Sequence, residues 1–246
     1  PDPHLVQRQT QRVIEHLLKD MEFSSRYRVP KLQLSKIGEF HYVAQSGFWR
    51  LWHYLDHTQV LESFQNPAQI TLTARAFADY QRALIDLPGE PLMETIEGFL
   101  QLDFYLQQFD KVSKRAPKDL MHFVQRLRGQ GQLFSKFDAH VHADCKVNNL
   151  LFNSQGMGVA AVIDLDTTMY GHWAWDFGDL MRSIAFSRGQ VDLKDYQSAA
   201  EGFLLGLQKP VTEQTVQEMV QVPGHIAGML GLRFLVDHLM GDVYFL

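Results

Sequence analysis

HVHADCKVNN (140–149) and AAVIDLDTT (160–168) are the two stretches of this chain that decide its fold. The first contains an H-x-H pair, an aspartate and two asparagines, and the second contains two aspartates in a D-x-D-x-T pattern. Apolar and β-branched runs, separated by a polar turn, predict two short strands: NLLF (149–152) and GVAAVID (158–164). We therefore predict an antiparallel hairpin that begins in one stretch and ends in the other.

This predicted hairpin gathers three oxygen-bearing side chains at one end. Its open ends place Asn149 near Asp164, and Asp144 lies a few residues before that end. Mg²⁺ in phosphoryl-transfer sites typically binds one or two carboxylates and leaves its other positions to water and phosphate oxygens. Asp144, which is not needed as a ligand, could accept a proton from a substrate hydroxyl. The residues therefore predict a base, a metal-binding amide and a metal-binding carboxylate, which are the parts of a phosphoryl-transfer site.

The rest of the chain predicts a small β-containing N-terminal part followed by a mostly helical part. Residues 40–55 are rich in aromatic residues around Ser46-Gly47, which is typical of a hairpin with its turn there. Apolar residues at helical spacing predict helices over 73–87 and 117–131. From about residue 176 the pattern is helical, with a predicted break at Val222-Pro223-Gly224.

The composition limits the partners and the location of the protein. The chain has 246 residues, of which 46% are hydrophobic and 21% are charged, as in an ordinary folded enzyme. Its formal net charge of −5 gives no electrostatic reason to expect a nucleic acid or an anionic membrane as a partner. The single cysteine, Cys145, cannot form an internal disulfide, and neither a membrane-spanning apolar run nor a signal peptide is visible. We therefore expect a cytoplasmic protein without a nucleic-acid or membrane partner.

Three other functions fit parts of the same motifs. A zinc or iron amidohydrolase also uses an H-x-H pair, which His140 and His142 match, but that pair normally ends the first strand of a barrel. A haloacid-dehalogenase-type phosphatase would use Asp164 as its nucleophile, and its parallel sheet needs strands and helices that alternate after the motif. A non-catalytic, nucleotide-binding pseudokinase is the third alternative.

Cys145 fits a packed residue better than a nucleophile, because no second cysteine or obvious base accompanies it.

Both stretches resemble the H-x-D-x-x-x-x-N and I-D motifs of the aminoglycoside phosphotransferase and choline kinase family. His142, Asp144 and Asn149 match the first motif at the family's spacing, and Ile163-Asp164 matches the second. Within this family, four runs look most like the N-acetylhexosamine 1-kinase group: DCKVNNL (144–150), IDLDTTMYG (163–171), WDFGDLMR (175–182) and RFLVDHLMGDVYF (233–245). The resemblance covers about residues 48–246.

The resemblance implies an α+β, protein-kinase-like fold with a small β-containing N-lobe and a large, mainly helical C-lobe. Residues 1–55 would form the nucleotide-binding N-lobe, and residues 56–246 the C-lobe with the catalytic loop and the metal-binding hairpin. The family's phosphate-covering strand–turn–strand has no counterpart here, so we expect an incomplete N-lobe. HLVQRQT (4–10) is then expected to be the strand that carries the phosphate-pairing residue, Gln7 or Arg8, with Glu15 as its acidic partner on the next helix.

The reaction implied by the resemblance is the Mg²⁺-dependent transfer of the γ-phosphate of ATP to a hydroxyl of a small molecule. The acceptor would be a sugar of the N-acetylhexosamine kind, or else an amino alcohol, homoserine or an aminoglycoside. Asp144 would be the catalytic base, and Asn149 and Asp164 would hold Mg²⁺. His142 would be a scaffold that bonds to the backbone and holds Asp144 in place. The protein would act as a monomer or a homodimer.

Further site residues follow from the same resemblance, and two roles stay open. The backbone at His53, Tyr54 and Leu55 would meet the adenine at the hinge between the lobes. Arg233 and Tyr244 would bind the sugar. Lys146 either steadies the transferring phosphate or is an ordinary surface lysine. Asp166 either contacts the metal or the substrate, or it closes the end of the hairpin.

Overall fold

The computed structural model describes residues 2–130, 133–189 and 191–244. The chain is an α+β protein, as predicted, with small antiparallel sheets and a larger helical part. Its helices are α1 Pro3–Leu17, α2 Met21–Arg26, α3 Pro67–Ala83, α4 Leu102–Val112, α5 Met121–Arg128, α6 Trp175–Arg188, α7 Leu193–Leu207 and α8 Glu213–Met240. Its strands are β1 Tyr42–Ala44, β2 Gly47–Trp49, β3 Thr58–Gln59, β4 Ala139–Val141, β5 Leu150–Asn153, β6 Val159–Val162 and β7 Met169–Gly171.

Every strand pair in the described part of the chain is antiparallel. Strands β1 and β2 form the predicted N-terminal hairpin, but its turn is at Gln45-Ser46, one residue earlier than expected. The second sheet has the order β3-β5-β6, and the third pairs β4 with β7. A haloacid-dehalogenase-type phosphatase needs a parallel sheet after its D-x-D motif, so this alternative is wrong.

Helix α1 corrects the prediction for HLVQRQT (4–10), which is helical and not a strand. The side chain of Asp2 accepts a hydrogen bond from the backbone N–H of His4, and Pro3 occupies the first turn, where its missing N–H costs nothing. The buried side of the helix carries apolar residues at helical spacing: Val6, Val13, Ile14 and Leu17. This periodicity forms a helix where the family resemblance had implied a strand.

The position of α1 matters for the site because the helix packs against Leu165–Thr167, directly after the predicted metal-binding hairpin. The Thr10 hydroxyl donates a hydrogen bond of 3.1 Å to Oδ1 of Asp166. The N-terminal residues therefore support the functional end of the hairpin from one side.

Helices α3 and α7 form a close helix pair in the core of the larger lobe. A β-carbon added at Gly202 would lie 2.2 Å from the backbone oxygen of Thr71, and one at Gly206 would lie 2.7 Å from that of Arg75. Both positions therefore require glycine, because the backbones of the two helices approach too closely for a side chain.

Helix α8 is continuous, so the predicted break at Val222-Pro223-Gly224 is wrong. Val222 and Ile226 are buried against α6, where a β-carbon added at Gly178 would lie 2.8 Å from each of their side chains. This packing offsets the backbone hydrogen bond that Pro223 cannot donate. By length and composition α8 is also apolar enough to cross a membrane, and 44% of its apolar window is buried inside the protein.

A buried histidine on α8 predicts an acid-sensitive fold. Burial lowers the pKa of His225 from its ordinary value of 6.5 to about 4, and His172 acts in the same direction. Between these two values the unfolded chain binds a proton that the folded chain does not, so stability is lost as the pH falls. We expect His225 to lower the free energy of unfolding by about 2 kcal/mol between pH 7 and pH 5.

Urea denaturation of the wild type and of His225→Leu at both pH values measures this loss. The leucine variant should lose less stability on acidification, and it should still fold because Nδ1 of His225 is buried without a partner. An equal loss in both proteins would contradict the prediction.

Candidate active site

The hairpin forms as the sequence predicts. Leu150 pairs with Val162 and Leu151 with Ala161, and the backbone N–H of Ile163 donates to the carbonyl of Asn149 over 2.9 Å. This last bond closes the open end of the hairpin, so Asn149 lies beside the residue that precedes Asp164. The two predicted metal ligands are therefore brought to one end of the β5-β6 hairpin.

Asp144 lies at this end and is held by two neighbours through one carboxylate oxygen. Its Oδ2 accepts hydrogen bonds from Nζ of Lys146, over 2.7 Å, and from Nδ2 of Asn149, over 2.9 Å. The same amide nitrogen donates to the Asp144 backbone carbonyl, over 2.8 Å. In the described part of the chain, Oδ1 of Asp144 has no hydrogen-bond partner. One oxygen is therefore oriented by the protein, and the other is left to bind something else.

His142 connects Asp144 with the second motif. Its Nδ1 accepts the backbone N–H of Asp144 over 3.3 Å, so its proton is on Nε2, which donates to the carbonyl of Ile163 over 2.9 Å. The ring is buried and makes edge contacts with Phe77 and Tyr80. This geometry supports the interpretation that His142 is a scaffold.

The H-x-H pair is not a metal site. His140 is bonded on both ring nitrogens, to the Leu84 carbonyl over 3.0 Å and to the Leu92 amide over 3.4 Å. No group of three or more His, Cys, Asp or Glu side chains within residues 2–130, 133–189 and 191–244 is arranged to hold a metal ion. The amidohydrolase alternative is therefore wrong.

Two buried aspartates of α6 fix the backbone of the 142–145 loop, and neither was predicted as a site residue. Asp176 accepts the backbone N–H groups of His142, over 2.9 Å, and Ala143, over 2.8 Å. Asp179 accepts that of Cys145 over 2.7 Å. Burial raises the pKa of both carboxyl groups, and these hydrogen bonds act in the opposite direction. The spacing W-D-F-G-D was a usable signal, because residues three apart on a helix share a face.

The hydrogen bonds to Asp176 and Asp179 keep the 142–145 loop in a strained conformation. Ala143 has a φ of 66°, in the left-handed region that residues other than glycine rarely adopt. Cys145 is fully buried beside Asp176 and Asp179, and burial raises the pKa of its thiol. A thiol that stays protonated is a poor nucleophile, which agrees with the interpretation of Cys145 as a packed residue.

We expect Asp176→Asn to lower the free energy of unfolding by about 3 kcal/mol. Both of its oxygens accept hydrogen bonds from buried donors, and an amide keeps only one acceptor. Urea denaturation measures the loss. Asp119→Asn is the control, since this carboxylate is exposed. Equal stability of the two variants would show that the hydrogen bonds to Asp176 contribute little to the free energy of unfolding.

Asp164 has the backbone and the exposure of a ligand-binding carboxylate. Its φ of 60° and ψ of 54° are left-handed, a conformation that aspartate tolerates better than most residues. The side chain is exposed and makes no hydrogen bond or ion pair with other described residues. Oδ1 of Asn149 likewise accepts none, because the amide is engaged through its nitrogen. A free carboxylate and a free amide oxygen are hard donors, and this donor set fits Mg²⁺.

A cavity of about 590 Å³ opens beside Asp164. His53, Tyr54 and Leu55, the residues predicted to meet the adenine, line the same cavity. The backbone N–H of His53 bonds to the Lys31 carbonyl, and the carbonyl of Leu55 accepts the Thr58 hydroxyl. The structure therefore brings the predicted hinge and one predicted metal ligand into one space.

Asp166 has a different partner from the predicted metal. Both of its carboxylate oxygens form an ion pair with the guanidinium of Arg50, and Oδ1 also accepts the Thr10 hydroxyl. Its backbone carbonyl accepts the hydroxyl of Thr95. Of the open roles, closing the hairpin end agrees with this geometry. Arg50, which also lines the cavity, was missed because nothing in its local sequence sets it apart.

Four other predicted residues lie away from the cavity lining. Arg8 and Glu15 are exposed on α1, the helix that replaces the expected strand, so the premise for pairing them with phosphate is wrong. Arg233 and Tyr244 do come together, with the guanidinium carbon 4.7 Å from the centre of the tyrosine ring. Phe99 and Tyr105 lie near the same guanidinium, at 5.6 and 5.9 Å.

Comparison with known protein families decides the classification. Residues 15–210 match the phosphotransferase enzyme family. The chain belongs to that family. It is a kinase-like phosphotransferase, an enzyme class that transfers phosphate to hydroxyl groups. The predicted family is thereby confirmed, whereas its N-acetylhexosamine 1-kinase subgroup stays a prediction.

Solved structures show the same fold for this phosphotransferase. A choline/ethanolamine kinase family protein from Mesorhizobium loti is 16% identical with a TM-score of 0.60, over 98% of this chain and 74% of that one. A choline kinase from Streptococcus pneumoniae is 15% identical with a TM-score of 0.56, over 96% and 74%. An aminoglycoside phosphotransferase from Streptomyces rimosus is 16% identical with a TM-score of 0.50, over 92% and 81%. The predicted kinase-like, two-lobed fold is therefore confirmed.

Proposed function

We propose that this phosphotransferase uses ATP and Mg²⁺ to phosphorylate a hydroxyl of a small molecule. The proposal rests on one observation. Asp144, Asn149 and Asp164 lie at the open end of the β5-β6 hairpin, beside the 590 Å³ cavity. The size of the cavity is within the range of small-molecule and cofactor sites. One of the structures with this fold, the Streptomyces rimosus enzyme, was solved with ADP and streptomycin.

The nucleotide would lie along the cavity with its base at the hinge. The backbone N–H of Leu55 and the carbonyl of His53 have no hydrogen-bond partner in the described part of the chain, so a donor and an acceptor are available to a purine edge. Trp52 and Leu151 supply apolar contact area from the cavity wall. Asp164, which lines the same cavity, would then face the phosphates.

Asn149 and Asp164 would hold Mg²⁺ through Oδ1 and the carboxylate, respectively. When bound, the ion would neutralise charge on the β- and γ-phosphates. The hydrogen bond from Nδ2 of Asn149 to Asp144 fixes which side of the amide faces outward. His142 fixes the backbone on both sides, since it bonds to Asp144 and to Ile163.

Asp144 would orient the acceptor hydroxyl and accept its proton at Oδ1. Lys146 and Asn149 both hold Oδ2, so the side chain cannot rotate freely, and the free oxygen keeps one direction. The intact base and metal residues count against a non-catalytic pseudokinase. A cytoplasmic location, and the division into residues 1–55 and 56–246, remain part of this proposal.

The acceptor that we favour is a sugar, and the support is the surroundings of Arg233. Its guanidinium lies near the rings of Phe99, Tyr105 and Tyr244. Aromatic rings that already face a guanidinium are poorly placed to bind a second cation, such as a quaternary ammonium group. A neutral ring rich in hydroxyl groups suits a mixed surface of aromatic rings and a guanidinium better.

An amino alcohol or an aminoglycoside is the second candidate. It rests on the structures of similar fold, whose names are choline kinase, choline/ethanolamine kinase family protein and aminoglycoside phosphotransferase. A screen with Mg²⁺ and ATP separates the candidates, with release of ADP as the readout and with hexoses, N-acetylhexosamines, choline, ethanolamine, homoserine and streptomycin as acceptors. Preferential turnover of choline would overturn the sugar proposal, and no ADP release with any acceptor would weigh against the kinase itself.

A further inference from the structure

Arg50 carries a positive charge from the N-terminal hairpin to the functional end of the β5-β6 hairpin. It follows β2 in the sequence, and its Nη1 donates to Oδ1 of Asp166 over 2.9 Å, while Nη2 bonds to Oδ2. Its guanidinium carbon is also 5.7 Å from the centre of the Trp52 ring. Only 18% of the Arg50 side chain is exposed, so the guanidinium is held in one place.

The residues that line the cavity carry more negative than positive charge, so a bound anion needs a cation beside it. Among the described residues that line it, Asp164 and Asp166 carry negative charge, and Arg50 is the one arginine or lysine. A nucleotide triphosphate would bring further negative charge to the same space. One Mg²⁺ offsets part of that charge, and without Arg50 the carboxylate of Asp166 would repel the phosphates.

The hydrogen-bond capacity of Arg50 is not exhausted by Asp166. A guanidinium has five N–H donors in a planar fork, and the ion pair engages one donor on each of the two Nη atoms. The remaining donors match the geometry of a phosphate group. Arg50 can therefore bind Asp166 and a phosphate at the same time, without a rearrangement of the loop.

We propose that Arg50 is a phosphate-binding residue of the nucleotide site, anchored by Asp166 and acting from the N-terminal hairpin. This inference rests on the proposed function, because it assumes that a nucleotide occupies the cavity. Arg50 would then supply the positive charge that the family resemblance implied for Arg8. Asp166 would neutralise part of the guanidinium charge and limit its motion, and the group that meets the phosphate would be Arg50 alone.

Two variants break the same ion pair but differ in what they leave behind. Arg50→Ala removes the cation, whereas Asp166→Asn keeps the cation and removes its partner. We expect Arg50→Ala to weaken the binding of ADP and ATP at least tenfold by calorimetry, the size of a charge-assisted hydrogen bond, with adenosine binding unchanged. Asp166→Asn should bind ADP and ATP within about threefold of the wild type, because Arg50 remains.

ADP binding without Mg²⁺ and the conservative variant Arg50→Lys complete the experiment. With ADP in EDTA, the effect of Arg50→Ala should persist, because it does not act through Mg²⁺. Arg50→Lys should fall between the wild type and Arg50→Ala, since it keeps the charge and loses the fork. Thermal melting of each variant shows whether it is folded.

The outcomes separate this inference from the proposed function. If Arg50→Ala and Asp166→Asn weaken ADP binding equally, or if Arg50→Ala weakens adenosine binding as much, Arg50 is only a structural tie and the inference is overturned alone. If Arg50→Ala binds ADP as well as the wild type, the inference also fails. If the wild type binds no adenine nucleotide at all, both the inference and the proposed function are overturned.

Discussion

Asp144→Asn is expected to lower turnover by roughly 100- to 10,000-fold, the usual contribution of a general base, with the affinity for Mg²⁺–ATP nearly unchanged. The free oxygen Oδ1 of Asp144 is the group left to accept the proton of the substrate hydroxyl. An amide is nearly the same size, but it cannot accept that proton. Steady-state kinetics with the acceptor found by screening, together with nucleotide binding by calorimetry, measures the two quantities separately.

Two controls sharpen the result for Asp144. Asp119→Asn makes the same chemical change at an exposed position outside the site and should retain full turnover. Lys146→Met removes one of the two groups that hold Oδ2 of Asp144 and should lower turnover less, because Asn149 still holds that oxygen. Comparable turnover in Asp144→Asn and the wild type would remove Asp144 from the role of base.

Asp164→Ala should abolish the Mg²⁺-dependent part of nucleotide binding. The exposed carboxylate of Asp164 has no protein partner among the described residues, and no other free carboxylate lines the cavity there, because Asp166 is paired with Arg50. We expect the affinity of the variant for ATP to be the same with Mg²⁺ and with EDTA. Calorimetric titration under both conditions gives the difference directly.

Backbone strain is the main competing explanation for an effect at Asp164. Its left-handed backbone is less favourable for alanine than for aspartate or asparagine. Asp164→Asn keeps the tolerance for this backbone and removes the charge, so it should also lose most of the Mg²⁺ dependence. Unchanged Mg²⁺–ATP affinity in both variants would contradict the metal assignment, and a loss in alanine alone would point to the backbone.

Local patterns in the sequence were sufficient for the centre of the site. The alternation of apolar residues around a polar turn predicted the β5-β6 hairpin, and its register then placed Asn149 beside the residue before Asp164. The resemblance to a kinase-like loop also implied that His142 holds Asp144 in place, and its two hydrogen bonds agree with that. These inferences succeeded because each depends on residues that are close in the chain, where geometry follows from the period of a strand.

Two predictions that rested on a short segment were wrong. The family resemblance implied a strand at HLVQRQT, but Asp2, Pro3 and the apolar residues as far as Leu17 form a helix start and a helical face over a longer range. Pro223 is a breaker by itself, yet the burial of Val222 and Ile226 against α6 keeps the helix continuous. In both cases packing over several turns outweighed a few residues.

By itself, the sequence determined which groups come to one hairpin end, namely two carboxylates and an amide in the motifs of a phosphotransferase. Only the tertiary structure decided what holds and surrounds them. Asp176 holds the 142–145 loop from α6, and Arg50 bonds to Asp166 from a hairpin far away in the chain. The Arg50 contact leaves no local pattern, and W-D-F-G-D shows only that Asp176 and Asp179 share a helix face. Which groups they bond to is decided by how the whole core packs, because the partners come from distant segments.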